Sequence, residues 1–304
     1  MALGAFTALT LGADCAGSRS GTLEETGLSA EDDFFVRFWG VRGSIPCPGG
    51  ATARYGGNTS CIEIGAGGRT LLFDAGTGLY QYGRAQSGAG PIDADLFLTH
   101  CHYDHVWGWP HFQLGLDAAN SFRIHGGHLG EQGAIQNIMM GLLDDPLNPL
   151  NRETLKADLT FMEFEPGRPL QPTDGVSMHT ALLNHPNGAV GYRIECGGRS
   201  ICYLTDHEHP EGGNTKELVE FAGGADIVIY DATYTDDEYP NHVGWGHSTW
   251  QEGARLCDAA DAGTYVVFHH DPGHDDNFMD DIARSVEQTR RNSVVAREGL
   301  VLRP

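Results

Sequence analysis

The chain has 304 residues, 40% of them hydrophobic, and sets 19 basic against 41 acidic side chains for a formal charge of −22. That length allows one large core with decorations, and no stretch reaches the roughly 18 apolar residues that a membrane-spanning helix needs, so no membrane partner is expected. The charge disfavours a grip on long polyanions, so no long nucleic acid is expected as a partner, whereas a small phosphorylated substrate stays open because bound cations offset local acidity.

The apolar opening, residues 1–13, lacks the basic flank of a secretory signal, so a cytoplasmic location is expected, with export the minority alternative. Residues 1–30 read as a flexible extension and 31–304 as a single domain. Seven cysteines, odd in number, widely spaced and without a C-x-x-C pair, argue against a disulfide framework or a zinc ribbon. Strand-type runs fall at 34–39, 61–65, 70–74, 95–99, 121–124, 159–164, 176–182, 190–195, 200–205, 225–230, 264–268 and 300–302. Helical patterns fall at 78–84, 132–143, 215–221, 248–261 with Ser248 as N-cap, and 277–291. Two blocks of strands, each followed by helices, predict two sheets packed face to face with helices outside. Near 130–172 the composition shifts, with Met139-Met140, Leu142-Leu143, Pro146 and Pro149. That segment is either an inserted cap over a site or an ordinary connection between elements.

The chemistry concentrates where the apolar run Leu96-Phe97-Leu98 meets Thr99-His100-Cys101-His102-Tyr103-Asp104-His105. Imidazoles and carboxylates are the usual non-thiolate donors for Zn2+, and four of them stand within six residues at a strand's end. Alternation puts His100 and His102 on one side, and the following turn lets Asp104 and His105 aim at a second ion. Further donors end other apolar runs: His185, Asp206 and the pair His269-His270.

The H-x-H-x-D-H run, followed by a lone His, a strand-ending Asp and a strand-ending His, resembles the metallo-β-lactamase superfamily. The segments Phe38-Trp39-Gly40-Val41-Arg42-Gly43-Ser44-Ile45-Pro46, Tyr55-Gly56-Gly57-Asn58-Thr59-Ser60-Cys61 and Phe73-Asp74-Ala75-Gly76-Thr77-Gly78 resemble its ribonuclease Z and cyclic-phosphodiesterase branch. The resemblance implies an α/β fold, a four-layer αββα sandwich, with two Zn2+ ions, for which Mn2+ or Fe can substitute. It assigns His100, His102 and His185 to one ion, Asp104, His105 and His269 to the other, and Asp206 to both, with His270 as the second choice for the late ligand. Asp74 is expected to brace the ligand loop without touching metal. Cys101 and Cys202 are read as packing.

Two zinc ions can activate a shared water and clamp phosphoryl oxygens during in-line attack. His247, in Trp245-Gly246-His247-Ser248-Thr249, resembles the branch's assisting histidine and is the candidate acid or phosphate-binding group. Asp104 is counted as catalytic as well as a ligand, since it or Asp206 can orient the attacking water, although their ligand roles leave neither as a free general base. Asn58 and Thr59 are expected to line the pocket, and the other histidines to be surface or structural. The expected activity is hydrolysis of a small or cyclic nucleotide-type phosphodiester. The alternatives are a carbonyl substrate (lactone, thioester or β-lactam) and tRNA 3′-processing. A homodimer is compatible with all of these.

Overall fold

The computed structural model describes residues 34–149 and 152–304, so the expected extension at 1–30 lies outside the described residues. The first sheet contains β1 (Phe35–Gly40), β2 (Cys61–Ala66), β3 (Arg69–Phe73), β4 (Asp93–Leu98), β5 (Ser121–Gly126), β6 (Asp158–Glu163) and the returning β14 (Val301–Leu302), in the order β14-β1-β2-β3-β4-β5-β6. The second contains β7 (Leu170–Thr173), β8 (Val176–Leu183), β9 (Ala189–Cys196), β10 (Arg199–Leu204), β11 (Ile227–Asp231), β12 (Thr264–Phe268) and β13 (Ser293–Val295), in the order β13-β12-β11-β10-β9-β8-β7. Each sheet is antiparallel at its hairpins and parallel afterwards, from β3 to β6 and from β10 to β13. Two hairpins turn on glycine pairs, Gly67-Gly68 and Gly197-Gly198, with all four φ angles between 57° and 78°. Two successive positive φ angles make the tight turn whose twist matches the flanking strands.

Period-2 alternation sorts the side chains into layers. Val266 and Phe268 of β12 join Phe38, Ile64, Phe73 and Phe97 in the cluster between the sheets, while Tyr265 and Val267 face outward. Phe73, Phe97 and Phe268 are fully buried, each worth roughly 1.5–3 kcal/mol relative to exposure. Outside the second sheet, α4 (Lys216–Ala222), α5 (Trp250–Ala259) and α6 (Asp276–Thr289) cover Val228 and Tyr230. Outside the first, α1 (Gly78–Ala85) and α3 (Ala134–Gly141) cover Leu72, Leu96 and Ile124. The result is a four-layer αββα sandwich.

Two local differences from the sequence reading have physical causes. Helix α5 starts at Trp250, and the Thr249 hydroxyl accepts from the Glu252 N–H, so Thr249 and not Ser248 is the cap. Ser248 is fully buried and bonds His209 instead. The unforeseen β7 contains Pro172, which removes a donor and is tolerated because this strand lies at a sheet edge. Segment 130–172 contributes α3 and the edge strands β6 and β7. Among the described residues no helix is long and apolar enough to cross a membrane.

Candidate metal centre

The donors converge because parallel strands end at one edge of each sheet, and that edge is where open α/β sheets collect ligand groups. His100 to His105 follow β4, His185 follows β8, Asp206 follows β10, Asp231 closes β11 and His269 follows β12. Helix α2 (Tyr103–Val106) then carries Asp104 and His105. Asp74, Asp206 and His269 sit at φ 63°, 58° and 64°, in the left-handed region that non-glycine residues seldom occupy. Each takes that conformation within two residues of a strand end, turning its side chain over the edge. Such strain persists where surrounding structure over-determines it.

Two groups of donor atoms form without sharing a residue. His100, His102 and His185 make one, and Asp104, His105, Asp206 and His269 the other, with the donor atoms of each group within 4.8 Å of one another. Asp206 faces both. Its Oδ1 lies 3.7 Å from His100 Nε2 and from His185 Nε2, and its Oδ2 lies 3.1 Å from His105 Nε2 and 3.3 Å from His269 Nε2. Asp104 Oδ2 is 3.2 Å from His269 Nε2. His270 turns away, its Nε2 2.8 Å from the Ala296 carbonyl, so His269 is the one in the cluster.

The side chains fit divalent cations. His100 Nε2 and His105 Nε2 are buried without a hydrogen-bond partner, an arrangement rare for polar atoms unless another ligand is due there. Five imidazoles and two carboxylates packed this closely need compensating positive charge, and they are the donor types zinc prefers.

A surrounding layer sets the ring orientations. Asp74, fully buried, accepts from the Thr99 N–H at 2.8 Å, the Thr99 hydroxyl at 2.9 Å and the Tyr203 hydroxyl at 2.9 Å, and lies 2.9 Å from His105 Nδ1. His185 Nδ1 donates to the Gly246 carbonyl at 2.7 Å, Thr233 Oγ1 lies 3.0 Å from His269 Nδ1, and the Ser44 N–H donates to Asp104 Oδ2 at 2.8 Å. Each Nδ1 contact leaves Nε2 free for the cluster. Beside the second group, His247 Nδ1 lies 2.8 Å from Asp231 Oδ2. Burial opposes the charged His247 ring, but the Asp231 carboxylate, through charge and hydrogen bond, overrides it and pushes the group up to about 9. Burial pushes His100 down, and the neighbouring His105 adds to the effect.

The centre opens into a cavity of about 640 Å³. It is lined by His102, Asp104, Asp206 and His247 together with Tyr103, Val106, Ile138 and Leu142. Cys101 also lines it, half-buried, its thiol pushed up to about 12 by burial, while Cys202 is fully buried under α4. Asn58 and Thr59 are not among the lining residues: Asn58 donates to the Glu298 carboxylate, and Thr59 pairs with Thr77. Among the remaining histidines, His125 pairs with Asp95, His207 with Asn214 and His274 with Glu238. The sequence reading missed Asp231 and Ser44. Asp231 had a signal, for Ile227-Val228-Ile229-Tyr230-Asp231 repeats the apolar run and terminal carboxylate already seen at Asp206.

A family model described as Beta-lactamase superfamily domain matches residues 69–270. Ribonuclease Z of Haloferax volcanii is 28% identical over 280 residues, covering 76% of this chain and 83% of that protein. Ribonuclease Z of Halalkalibacterium halodurans is 25% identical over 283 residues, covering 76% and 87%. The fold is also that of Zn2+-bound PqqB from Methylobacterium extorquens, with a TM-score of 0.65, 19% identity and coverage of 88% and 99%. These relatives overturn one expectation, that long nucleic acid is excluded as a partner, because a ribonuclease acts on RNA. The net charge of −22 is a sum over the whole chain. A polyanion meets only the local field, which cations held among the acidic ligands would make more positive.

Proposed function

Because the chain belongs to the β-lactamase superfamily, we propose that it is a hydrolase dependent on two divalent ions, zinc foremost, that cleaves RNA phosphodiesters as its ribonuclease Z relatives do. The observation that carries this reading is the Asp206 carboxylate, whose two oxygens face two separate donor groups. His100, His102 and His185 would hold one ion, Asp104, His105 and His269 the other, with Asp206 reaching both. Bound there, the ions supply an activated water and electrophilic stabilisation of the phosphoryl oxygens. The chain's own groups orient and move protons. Asp104, fixed by the Ser44 N–H, holds the attacking water in line as well as serving as a ligand. His247, whose Nδ1 lies 2.8 Å from the Asp231 carboxylate that favours its protonated form, would donate to the leaving oxygen. A cytoplasmic setting, where thiols stay reduced, suits the free Cys101 beside the ligands.

A second reading, hydrolysis of a small or cyclic phosphodiester, draws support from the cavity's size and from Ile138 and Leu142 of the α3 region in its lining. A turnover panel on the zinc-loaded protein separates these: a tRNA carrying a 3′ extension, bis-p-nitrophenyl phosphate, a 2′,3′-cyclic nucleotide, a lactone and nitrocefin. Removal of the RNA extension, abolished by chelation and restored by zinc, is expected. Turnover of the small phosphodiesters with RNA inert selects the second reading. Turnover of a carbonyl substrate with every phosphodiester inert refutes both.

A further inference from the structure

Two large aromatic side chains stand in solvent immediately beside the metal ligands. Tyr103, between His102 and Asp104, is 66% exposed, and Trp107, four residues on, is 46% exposed. Their rings lie 5.5 Å apart with a 31° tilt, the geometry of residues one helical turn apart on a shared face. The pair is continuous with the cavity, because Tyr103 lines it together with Val106, Ile138 and Leu142. None of the lining residues is a lysine or arginine. Apart from the ligands and His247, the lining is Ser44, Cys101, Tyr103, Val106, Ile138 and Leu142, so it offers no cationic side chain to a second phosphate or a carboxylate. What it offers is apolar surface ending in an exposed aromatic step, which suits a flat, uncharged ring.

We propose that Tyr103 and Trp107 form a stacking platform for the nucleobase next to the scissile phosphate, making the substrate class a nucleoside phosphodiester and not a simple alkyl or sugar phosphodiester. The identity of the stacked ring rests on the phosphodiesterase reading. Tyr103 stacks on the base directly, and Trp107 braces Tyr103 and extends the surface outward. Stacking on an aromatic face tolerates any base, so the platform selects for a nucleoside without selecting sequence.

The test compares adenosine 5′-monophosphate with ribose 5-phosphate, which presents the same phosphate and sugar without a base, by calorimetric titration of the zinc-loaded protein. The wild type should bind the nucleotide at least about fivefold more tightly, the low end of what one stacked base supplies. Tyr103→Phe should keep that ratio, and Tyr103→Ala and Trp107→Ala should bring it towards one. Equal affinities in the wild type, or a ratio untouched by both alanine variants, would overturn the platform. This readout is independent of turnover. A base preference alongside inert phosphodiesters would overturn the phosphodiesterase reading and leave base stacking at Tyr103 and Trp107 standing, whereas phosphodiester turnover without a base preference overturns the platform alone.

Discussion

Replacing Asp74 should separate two roles that one carboxylate performs. Asp74 is fully buried and faces four donors: the Thr99 N–H, the Thr99 hydroxyl, the Tyr203 hydroxyl and His105 Nδ1. In Asp74→Ala the Thr99 hydroxyl can rotate towards another acceptor, but the other three donors are left in a dry interior. An orphaned buried donor costs about 1–3 kcal/mol, and partial relaxation makes roughly 3–5 kcal/mol a reasonable sum. Against a typical stability of about 5–15 kcal/mol this is severe. Asp74→Asn preserves shape and one acceptor, so the chelated protein should lose only about 1–2 kcal/mol. Its amide nitrogen, however, can meet His105 Nδ1 with the wrong polarity. The neutral ring then loses the partner that keeps Nδ1 protonated and Nε2 bare for metal, a change worth about 10- to 100-fold in affinity. Urea unfolding of the chelated proteins measures the first effect, and competition with a chromophoric chelator measures the second. An Asp74→Asn protein with wild-type affinity for both ions would refute the claim that Asp74 sets the His105 ring.

Other perturbations test separate parts of the account. A methyl group on Gly43 would overlap the His269 ring, and one on Gly246, where φ is +88°, would overlap His185, so each alanine variant should weaken one metal group and spare the other in a chelator titration. Arg42 is fully buried and donates to the carbonyls of Gly56, Asp271 and His274, so Arg42→Ala should lower stability by roughly 3–5 kcal/mol in chemical denaturation, and a loss below about 1 kcal/mol would contradict its role as a staple. Burial pushes His207 and His270 down from 6.5 to about 4 and about 3. The unfolded chain therefore takes up these protons first, so stability present above about 6.5 is lost as pH falls towards the folded values, by about 1.4 kcal/mol per pH unit for each ring. The Tm of the chelated protein should fall between pH 7 and 5, less steeply in His270→Gln, and a flat profile would contradict this.

The centre was more legible in the sequence than its surroundings because ligands follow strand ends, and a strand end shows as an apolar run stopping at a polar residue. His100, His185, Asp206 and His269 all carry that mark, and so does Asp231, whose role emerges only when β11 is seen beside β10 and His247 reaches across from the next loop. Ser44 contributes a backbone N–H, which no side-chain pattern encodes. The sequence reading preferred His269 over His270, and the backbone supplies the reason, since φ of 64° at His269 turns its ring into the cluster while His270 bonds the Ala296 carbonyl. Ser248 is the better cap on paper, and only its burial against His209 and Tyr230 passes the cap to Thr249. Strand β13 is three residues long at a sheet edge, too short for a period to register. Charge counting over amino acids also leaves out any cation held among these donors, so the expectation against long nucleic acid rested on an incomplete sum.

The most direct test of the central claim is the metal stoichiometry of the wild type and two ligand variants, measured by elemental analysis after zinc loading and desalting. Two equivalents in the wild type are expected, with His185→Ala and His269→Ala each retaining about one, in the opposite donor groups. One equivalent or fewer in the wild type, or loss of both ions from either variant while it remains folded by circular dichroism, would contradict two metal groups joined through Asp206.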